Sequence, residues 1–294
     1  MPERDGYPAG VPCWVDTGQP DPDAAVAFYS GLFGWEFENA MPPDAPGSYF
    51  IARFRGGDVA AVGSLPEGEP AKAVWKTYIW VDSADETATR VRDAGGRVLT
   101  EPFEVMDAGR MAVLADREGA AFCAWQARQH RGARVVNEPV SLNFNDLSTR
   151  DAQGAKAFYG AVFGWETLDL GGAEMWRLPG YGEFLERGDP GLRKRMAESG
   201  APAGFEDVCA SLNPIAEHEG DAPSAWGVTF AVEDADATAE RATELGGRVL
   251  APPFDAPWVR MTVIADPQGA TFTASKFVPE NRDLASRATT ARAA

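Results

Sequence analysis

The chain has 294 residues, 45% of them apolar, with 44 acidic and 27 basic side chains and a formal charge of −17. That length suffices for two domains, each with a core of its own, and the acidic excess argues against a phosphate backbone as partner. No apolar run reaches the roughly 18 to 20 residues of a membrane span, "MPERDGYPAG" lacks the order of a secretory signal, and three cysteines (Cys13, Cys123, Cys209) make no disulfide framework. The expected setting is cytoplasmic and reducing, with neither nucleic acid nor membrane as partner.

In chain order, "VPCWVDTG" reads as a strand with Trp14 and Asp16 on one face and Cys13 and Val15 on the other. In "PDPDAAVAFYSGLFG" Asp21 caps a helix, Pro22 suits its first turn, Phe28 and Leu32 share a face and Gly34 stops it. Strand-like runs "WEFENA", "SYFIARFRG" and "VAAVGSL" follow, completing a βαβββ unit. A second unit begins at "WKTYIWVD": Ser83 and Glu86 form a capping box, Gly95-Gly96 end the helix, and "RVLTEPF", "RMAVLAD" and "AFCAWQ" are its strands.

The plan then repeats. "AFYSGLFGWEFE" (Ala27 to Glu38) returns as "AFYGAVFGWETL" (Ala157 to Leu168), and "AGGRVLTEPFEV" returns as "LGGRVLAPPFDA", with the offset growing from 130 to about 150. The extra residues are expected as a Gly- and Pro-rich loop with one short helix near 181–206. Such loops are often lids, and Glu183 and Glu186 are candidates to close over a site. The "FY" pair is expected to anchor each helix to its sheet. Arg110 and Arg260 recur at matching places, as either anion contacts or repeated surface ion pairs. The expected division is a first domain at 9–128, a polar linker at 129–139, a second domain at 140–277 and a disordered tail at 278–294. The fold class is α+β: four βαβββ units paired into two similar domains.

Four such units, with "D-x-x-x-x-x-x-FY-x-x-x-FGW" after the first strand and "D-x-x-G" before the last, resemble the vicinal oxygen chelate superfamily, specifically tandem-domain, glyoxalase-like actinobacterial proteins. The superfamily includes glyoxalase I, extradiol dioxygenases and bleomycin-sequestering proteins, so the resemblance implies a fold before it implies an activity. In the metal-dependent members an ion sits in a cup between two units, held by a histidine in a unit's first strand and a carboxylate in its last. The resemblance places the histidine positions at Trp14, Lys76, Phe144 and Gly227 and the carboxylate positions at Cys123 and Thr273. None of these is a ligand of that pattern. The two histidines of the chain, His130 in the linker and His218 in "AEHEGDAP", are expected to be exposed.

Strand parity lines the first cup with Trp14, Asp16, Tyr78, Trp80, Cys123 and Trp125, with Lys76 at its floor or mouth. Aromatic walls suit a planar ligand, and Asp16 with Lys76 would form an acid/base pair beside it. The opposing expectation is that these tryptophans close a solid core. Cys123 is expected as a small buried hydrophobe rather than a nucleophile. The second cup presents Phe144, Asp146, Thr229, Thr271, Thr273 and Ser275. The resulting functional expectation is a small-molecule binder or metal-independent proton-transfer protein for an aromatic or carbonyl-bearing metabolite, with no cofactor and no metal ligands. Two alternatives stand beside it: a metal-dependent glyoxalase or dioxygenase using Asp16, Asp146 and a recruited His218, and a purely structural or interaction module. Chains could also pair as a homodimer through edge strands.

Overall fold

The computed structural model of the protein describes residues 3–65, 72–170, 173–216, 220–282 and 284. His218 and residues 283 and 285–294 of the expected tail lie outside the described residues, while Pro279–Asn281 form a 3₁₀ turn. The first half runs β1 (Pro12–Gln19), α1 (Pro22–Phe33), β2 (Glu36–Asn39), β3 (Tyr49–Phe54), β4 (Gly57–Ser64), β5 (Val74–Trp80), α2 (Ala84–Asp93), β6 (Arg97–Val105), β7 (Gly109–Ala115) and β8 (Ala121–Ala127). The second half follows as β9 (Leu142–Thr149), α3 (Ala152–Phe163), β10 (Glu166–Asp169) and β11 (Glu174–Arg177). It continues with α4 (Tyr181–Gly188), α5 (Leu192–Glu198), β12 (Val208–Pro214), β13 (Ala225–Ala231), α6 (Ala235–Glu244), β14 (Arg248–Ala256), β15 (Val259–Ala265) and β16 (Thr271–Phe277). This is an α+β chain of two similar halves. No described helix is long and apolar enough to cross a membrane.

Each half is one eight-stranded sheet of order β2-β3-β4-β1-β5-β8-β7-β6, repeated as β10-β11-β12-β9-β13-β16-β15-β14. Local chemistry starts the helices as the sequence predicts: Asp21 accepts from the Ala24 amide, Ser83 from the Glu86 amide, and Gly34 takes the left-handed stop at φ 70°. Because side chains alternate along a strand, each sheet has two faces with different tasks. The Val15 and Thr77 face of the first sheet meets the Asn145 and Val228 face of the second, where Asn145 Nδ2 donates to Thr77 Oγ1 at 2.7 Å. The other faces, bearing Trp14 and Asp16 or Phe144 and Asp146, are turned away from this junction and form the cups.

The twice-written aromatic helix does more than hold its own sheet. Tyr29 of α1 accepts from Trp75 Nε1 of its own half at 3.1 Å and donates to Asp266 of the other half at 3.0 Å. Tyr159 of α3 mirrors this, accepting from Trp226 Nε1 at 2.9 Å and donating to Asp116 at 3.1 Å. The phenylalanines cross over as well. A Cβ at Gly96 would lie 2.7 Å from the Phe158 ring, and one at Gly247 would lie 3.0 Å from the Phe28 ring. The second glycine of each repeated "GGRVL" is therefore required both by backbone carbonyls of its own half, Ala115 at Gly96 and Ala242 and Ala265 at Gly247, and by an aromatic ring from the opposite half. Finally, Trp35 Nε1 donates to the Val140 carbonyl and Trp165 Nε1 to the Gly10 carbonyl, at 2.8 and 2.7 Å.

The inserted segment departs from the expected loop with one helix: it forms the two helices α4 and α5 and a short 3₁₀ turn at Phe205–Asp207. Its glycines account for the difference. Gly180, Gly191 and Gly204, at φ 88°, 85° and 85°, each stand immediately before a helical segment, where the left-handed backbone reverses the chain.

Removing one hydroxyl should weaken the bond between halves. Tyr159→Phe leaves buried Asp116 and Trp226 each short of a partner, and urea denaturation should show a loss of about 1–3 kcal/mol. Stability equal to that of the parent chain would contradict the clamp.

Candidate functional site

The six cup positions of the first half come together in register. Trp14 lies opposite Tyr78 and Asp16 opposite Lys76, while Tyr78 aligns with Cys123 and Trp80 with Trp125. They form a packed interior. Trp14, Asp16, Tyr78, Cys123 and Trp125 are all buried. Asp16 accepts through Oδ2 from the Tyr78 hydroxyl at 2.6 Å and the Tyr49 hydroxyl at 3.0 Å, and Trp14 Nε1 donates to Tyr49 at 3.0 Å. Burial raises the Asp16 pKa against the opposing pull of the Lys76 charge and the two tyrosine bonds. Lys76 acts on Asp16 through space: no ion pair joins them among the described residues, and its ammonium lies 3.9 Å from where a Cβ of Gly18 would stand. Burial, then the Asp16 charge, pushes the Cys123 thiol up to about 12, so it is a neutral packing group.

His130 does not lie exposed in a linker. Its ring packs edge-on against Trp14 with centroids 4.4 Å apart and lies 5.7 Å from Trp125, whose Nε1 donates to the His130 carbonyl at 3.0 Å. Burial lowers its pKa. The backbone beyond it is tied down too, with the Ala133 amide on the Cys13 carbonyl and the Arg134 amide on the Asp58 carbonyl, at 2.8 and 2.7 Å. Trp80, at the same end, is half-buried against Tyr7 and the Arg131 guanidinium. The N-terminal segment and the segment after β8 therefore close this end of the first cup.

The second cup keeps the aspartate and changes its surroundings. Asp146 lies in register with Ser211 on one side and Gly227 on the other, Thr229 opposite Phe144, and Thr273 beside Thr229. Ser211 and Thr229 donate their hydroxyls to the two carboxylate oxygens, Thr229 at 2.6 Å. Burial again raises the aspartate's pKa, opposed by those two bonds. Phe144, Asp146, Gly227 and Thr273 are only part-buried, as are Met175, Met261 and Val263, which share the cup face by register with Ser211, Ser275 and Thr273. Where Lys76 stands in the first half, a Cβ on Gly227 would meet only Asp146, at 3.7 and 3.8 Å. The inserted segment follows the rim of this cup, since Gly204 lies by Leu168 at one edge of the sheet and Gly200 by Trp258 at the β14–β15 turn of the other.

Two further expectations resolve. Glu186 is spent within the insertion, accepting from the Gly191 amide at 2.7 Å and the Arg193 amide at 3.0 Å, while Glu183 is exposed. Arg110 pairs with Asp85 and Glu104, and Arg260 with Asp236 and Asp255, which is the repeated surface ion pair.

The described residues of the two cups do not fit a divalent ion. Trp14, Phe144 and Gly227 offer no side-chain ligand atom, Lys76 is cationic, and each oxygen of Asp146 already accepts one hydroxyl, from Ser211 or Thr229, with no second ligating side chain beside it. Among the described residues no group of three His, Cys, Asp or Glu side chains could hold a metal.

Fold and vacated slots together define a tandem protein of the vicinal oxygen chelate class. The chain belongs to the glyoxalase-like domain family, which matches residues 14–125 and again 143–275. It is 38% identical over 285 residues to a Mycobacterium bovis protein named "Putative glyoxylase CFP32", covering 95% of this chain and all of that one. It is 34% identical over 286 residues to the anthracycline biosynthesis protein DnrV of Streptomyces peucetius, covering 91% of this chain and 93% of that one. Among solved structures, the Mn(II)-bound glyoxalase of Novosphingobium aromaticivorans superposes with a TM-score of 0.58 at 16% identity, covering 91% of this chain and 82% of that one. A trihydroxybiphenyl dioxygenase of Sphingomonas wittichii does so with a TM-score of 0.53 at 14% identity, covering 94% and 91%. At these identities the structures share the fold.

The raised aspartate gives a pH test. Asp146 binds its proton more readily folded than unfolded, so its contribution to stability is full below the ordinary carboxylate range and is lost as pH rises through its raised value. Urea titrations at increasing pH should show that fall, and Asp146→Asn should flatten part of it. An unchanged pH profile in the variant would contradict the assignment.

Proposed function

We propose that the chain binds a small aromatic or carbonyl-bearing molecule in its second cup without a metal, and that Asp146 gives or takes a proton at the guest's carbonyl or hydroxyl oxygen. The observation behind this reading is one difference between equivalent sites. Asp16 is sealed beneath Tyr49, Tyr78 and Trp14, whereas Asp146 sits in a part-open cup beside the space left by Gly227. A carboxyl group whose pKa burial has raised holds its proton more tightly than an ordinary one and is the stronger base once ionised. Phe144, Met175, Met261 and Val263 provide the apolar surface, and Thr229, Thr273 and Ser275 the orienting hydroxyls. A relative named for anthracycline biosynthesis, a pathway of polycyclic aromatic compounds, is in keeping with an aromatic guest. The first cup, with Asp16, Lys76, Trp14, Tyr78, Cys123 and Trp125, is on this reading a structural core.

Ortho-hydroxyacetophenone, a planar hydroxyaryl ketone, is a suitable probe. At a hundred times its dissociation constant it should stabilise the protein by about 2.7 kcal/mol in a thermal-shift titration, with or without chelator. Gly227→Leu, which fills the vacant space, should abolish the shift, while Cys123→Ala in the packed cup should not. Asp146→Asn should bind yet lose the catalysed deuterium exchange of the ketone methyl, in which Asp146 protonates the carbonyl oxygen while solvent water takes the methyl proton. A shift that needs added divalent metal, or that survives Gly227→Leu, would contradict the reading.

A further inference from the structure

We propose a second ligand site, independent of the cup, at the junction of the two halves: a cleft in which Arg4 and Tyr181 receive the carboxylate of a small aromatic acid. The cleft is lined by Arg4, Tyr7, Asn137, Asn143 and Tyr181, with Val136 and Leu142 among its apolar residues. It assembles from three distant stretches of chain. Arg4 comes from the N-terminal segment, held by its amide on the Arg134 carbonyl at 2.8 Å. Asn137 and Asn143 flank the entry into β9, and Tyr181 is the first residue of α4, inside the inserted segment.

The guanidinium of Arg4 lies 5.3 Å from the centre of the Tyr7 ring and 5.7 Å from that of Tyr181, and its Nη1 donates to the Tyr181 hydroxyl at 2.9 Å. No carboxylate lies within ion-pair distance of it among the described residues. Its neighbour in the same strip, Arg134, is paired with Glu3, and Arg53 with both Glu38 and Asp58. Among the described residues of this acidic chain, Arg4 is thus a cation in a cleft with no carboxylate paired to it.

The hydrogen-bond inventory points to the same class of guest. Arg4 has five N–H donors and spends one on Tyr181. The Tyr181 hydroxyl accepts that bond and keeps its own proton to donate. Asn143 donates to Asn137 Oδ1 at 3.1 Å, which leaves the Asn137 amide nitrogen free to donate. Donors outnumber acceptors, and an ionised carboxylate accepts through both oxygens and donates nothing. The Tyr7 hydroxyl is already spent on the Ala133 carbonyl at 2.6 Å, so that residue offers its ring rather than its oxygen. Arg4 lies over both tyrosine rings and Phe184 stacks on Tyr181, so an aryl body behind the carboxylate would rest on the ring edges with Val136 and Leu142. Phosphate and other compact anions would leave that surface unused.

The site is separate from the cup. Asn143 and Asn145 lie on the face of β9 opposite Phe144 and Asp146, since neighbouring residues alternate. A guest there would tie the N-terminal segment, the entry to β9 and the root of α4 together.

Isothermal titration of the full chain with benzoate tests this. Benzoate should bind saturably, and neutral benzamide and inorganic phosphate each about tenfold or more weaker, the factor expected for loss of a charge-assisted bond or of the aryl contact. Arg4→Gln should weaken benzoate by about tenfold or more, Tyr181→Phe by less because its ring remains, and Asp146→Asn should leave it unchanged. Arg4→Lys, which keeps the charge and N-terminal packing, should bind better than Arg4→Gln and separates lost recognition from a loosened N-terminal segment. Binding unaffected by Arg4→Gln, binding lost in Asp146→Asn, phosphate equal to benzoate, or no saturable binding would each overturn the proposal.

Discussion

The structure depends on a tyrosine in each half that lends its hydroxyl to an aspartate of the other. Tyr29 with Asp266 and Tyr159 with Asp116 are buried, and each tyrosine also accepts from a tryptophan of its own half. Leaving such a group without a partner would cost more than the net gain of making the bond, so the two halves are held to one arrangement. With the junction faces committed to each other, the cup faces are left for other uses. The same bond explains the repeated "FY" and the "D-x-x-G" turn, whose Asp116 Oδ1 also gathers the amides of Glu118, Gly119 and Ala120.

Within that shared frame the cups have diverged by a few substitutions at equivalent places. Ala61 corresponds to Ser211, Lys76 to Gly227, Tyr78 to Thr229 and Cys123 to Thr273, while the aspartate is the same. Large rings in the first half fill the space around Asp16, and small hydroxylated residues in the second surround a part-buried Asp146. The inserted segment belongs only to the half whose cup is open. In the first half Arg55 and Gly56 alone connect β3 to β4. On the proposed reading, one copy of the repeat is structural and the other receives the guest.

Much of this was legible in the residues themselves. Caps at Asp21 and Ser83, the stop at Gly34 and the doubled motifs are local signals, and local signals predict elements well. Register within each cup also followed, because strand parity is a short-range rule. What escaped was longer in range. Tyr49 reaches Asp16 across an intervening strand, and Ser211 reaches Asp146 from a strand that follows an insertion, so neither partner is marked by spacing. His130 lay in a stretch read as a polar linker, and its place between two tryptophans depends on how that stretch folds back over β1. The glycines of the insertion looked like loop residues, yet three of them are the reversing residues that start helical segments. The docking of each "FY" helix on the opposite half is marked in the sequence only by the aspartate of "D-x-x-G" and the second glycine of "GGRVL", neither of which names its partner.

The most direct measurement is anomalous scattering from crystals soaked with both manganese(II) and a brominated hydroxyaryl ketone. The account predicts a bromine peak in the second cup beside Asp146 and Gly227, with no manganese peak coordinated by residues of either cup. A manganese ion ligated in a cup, or bromine lodged among Trp14, Tyr78 and Trp125, would contradict it.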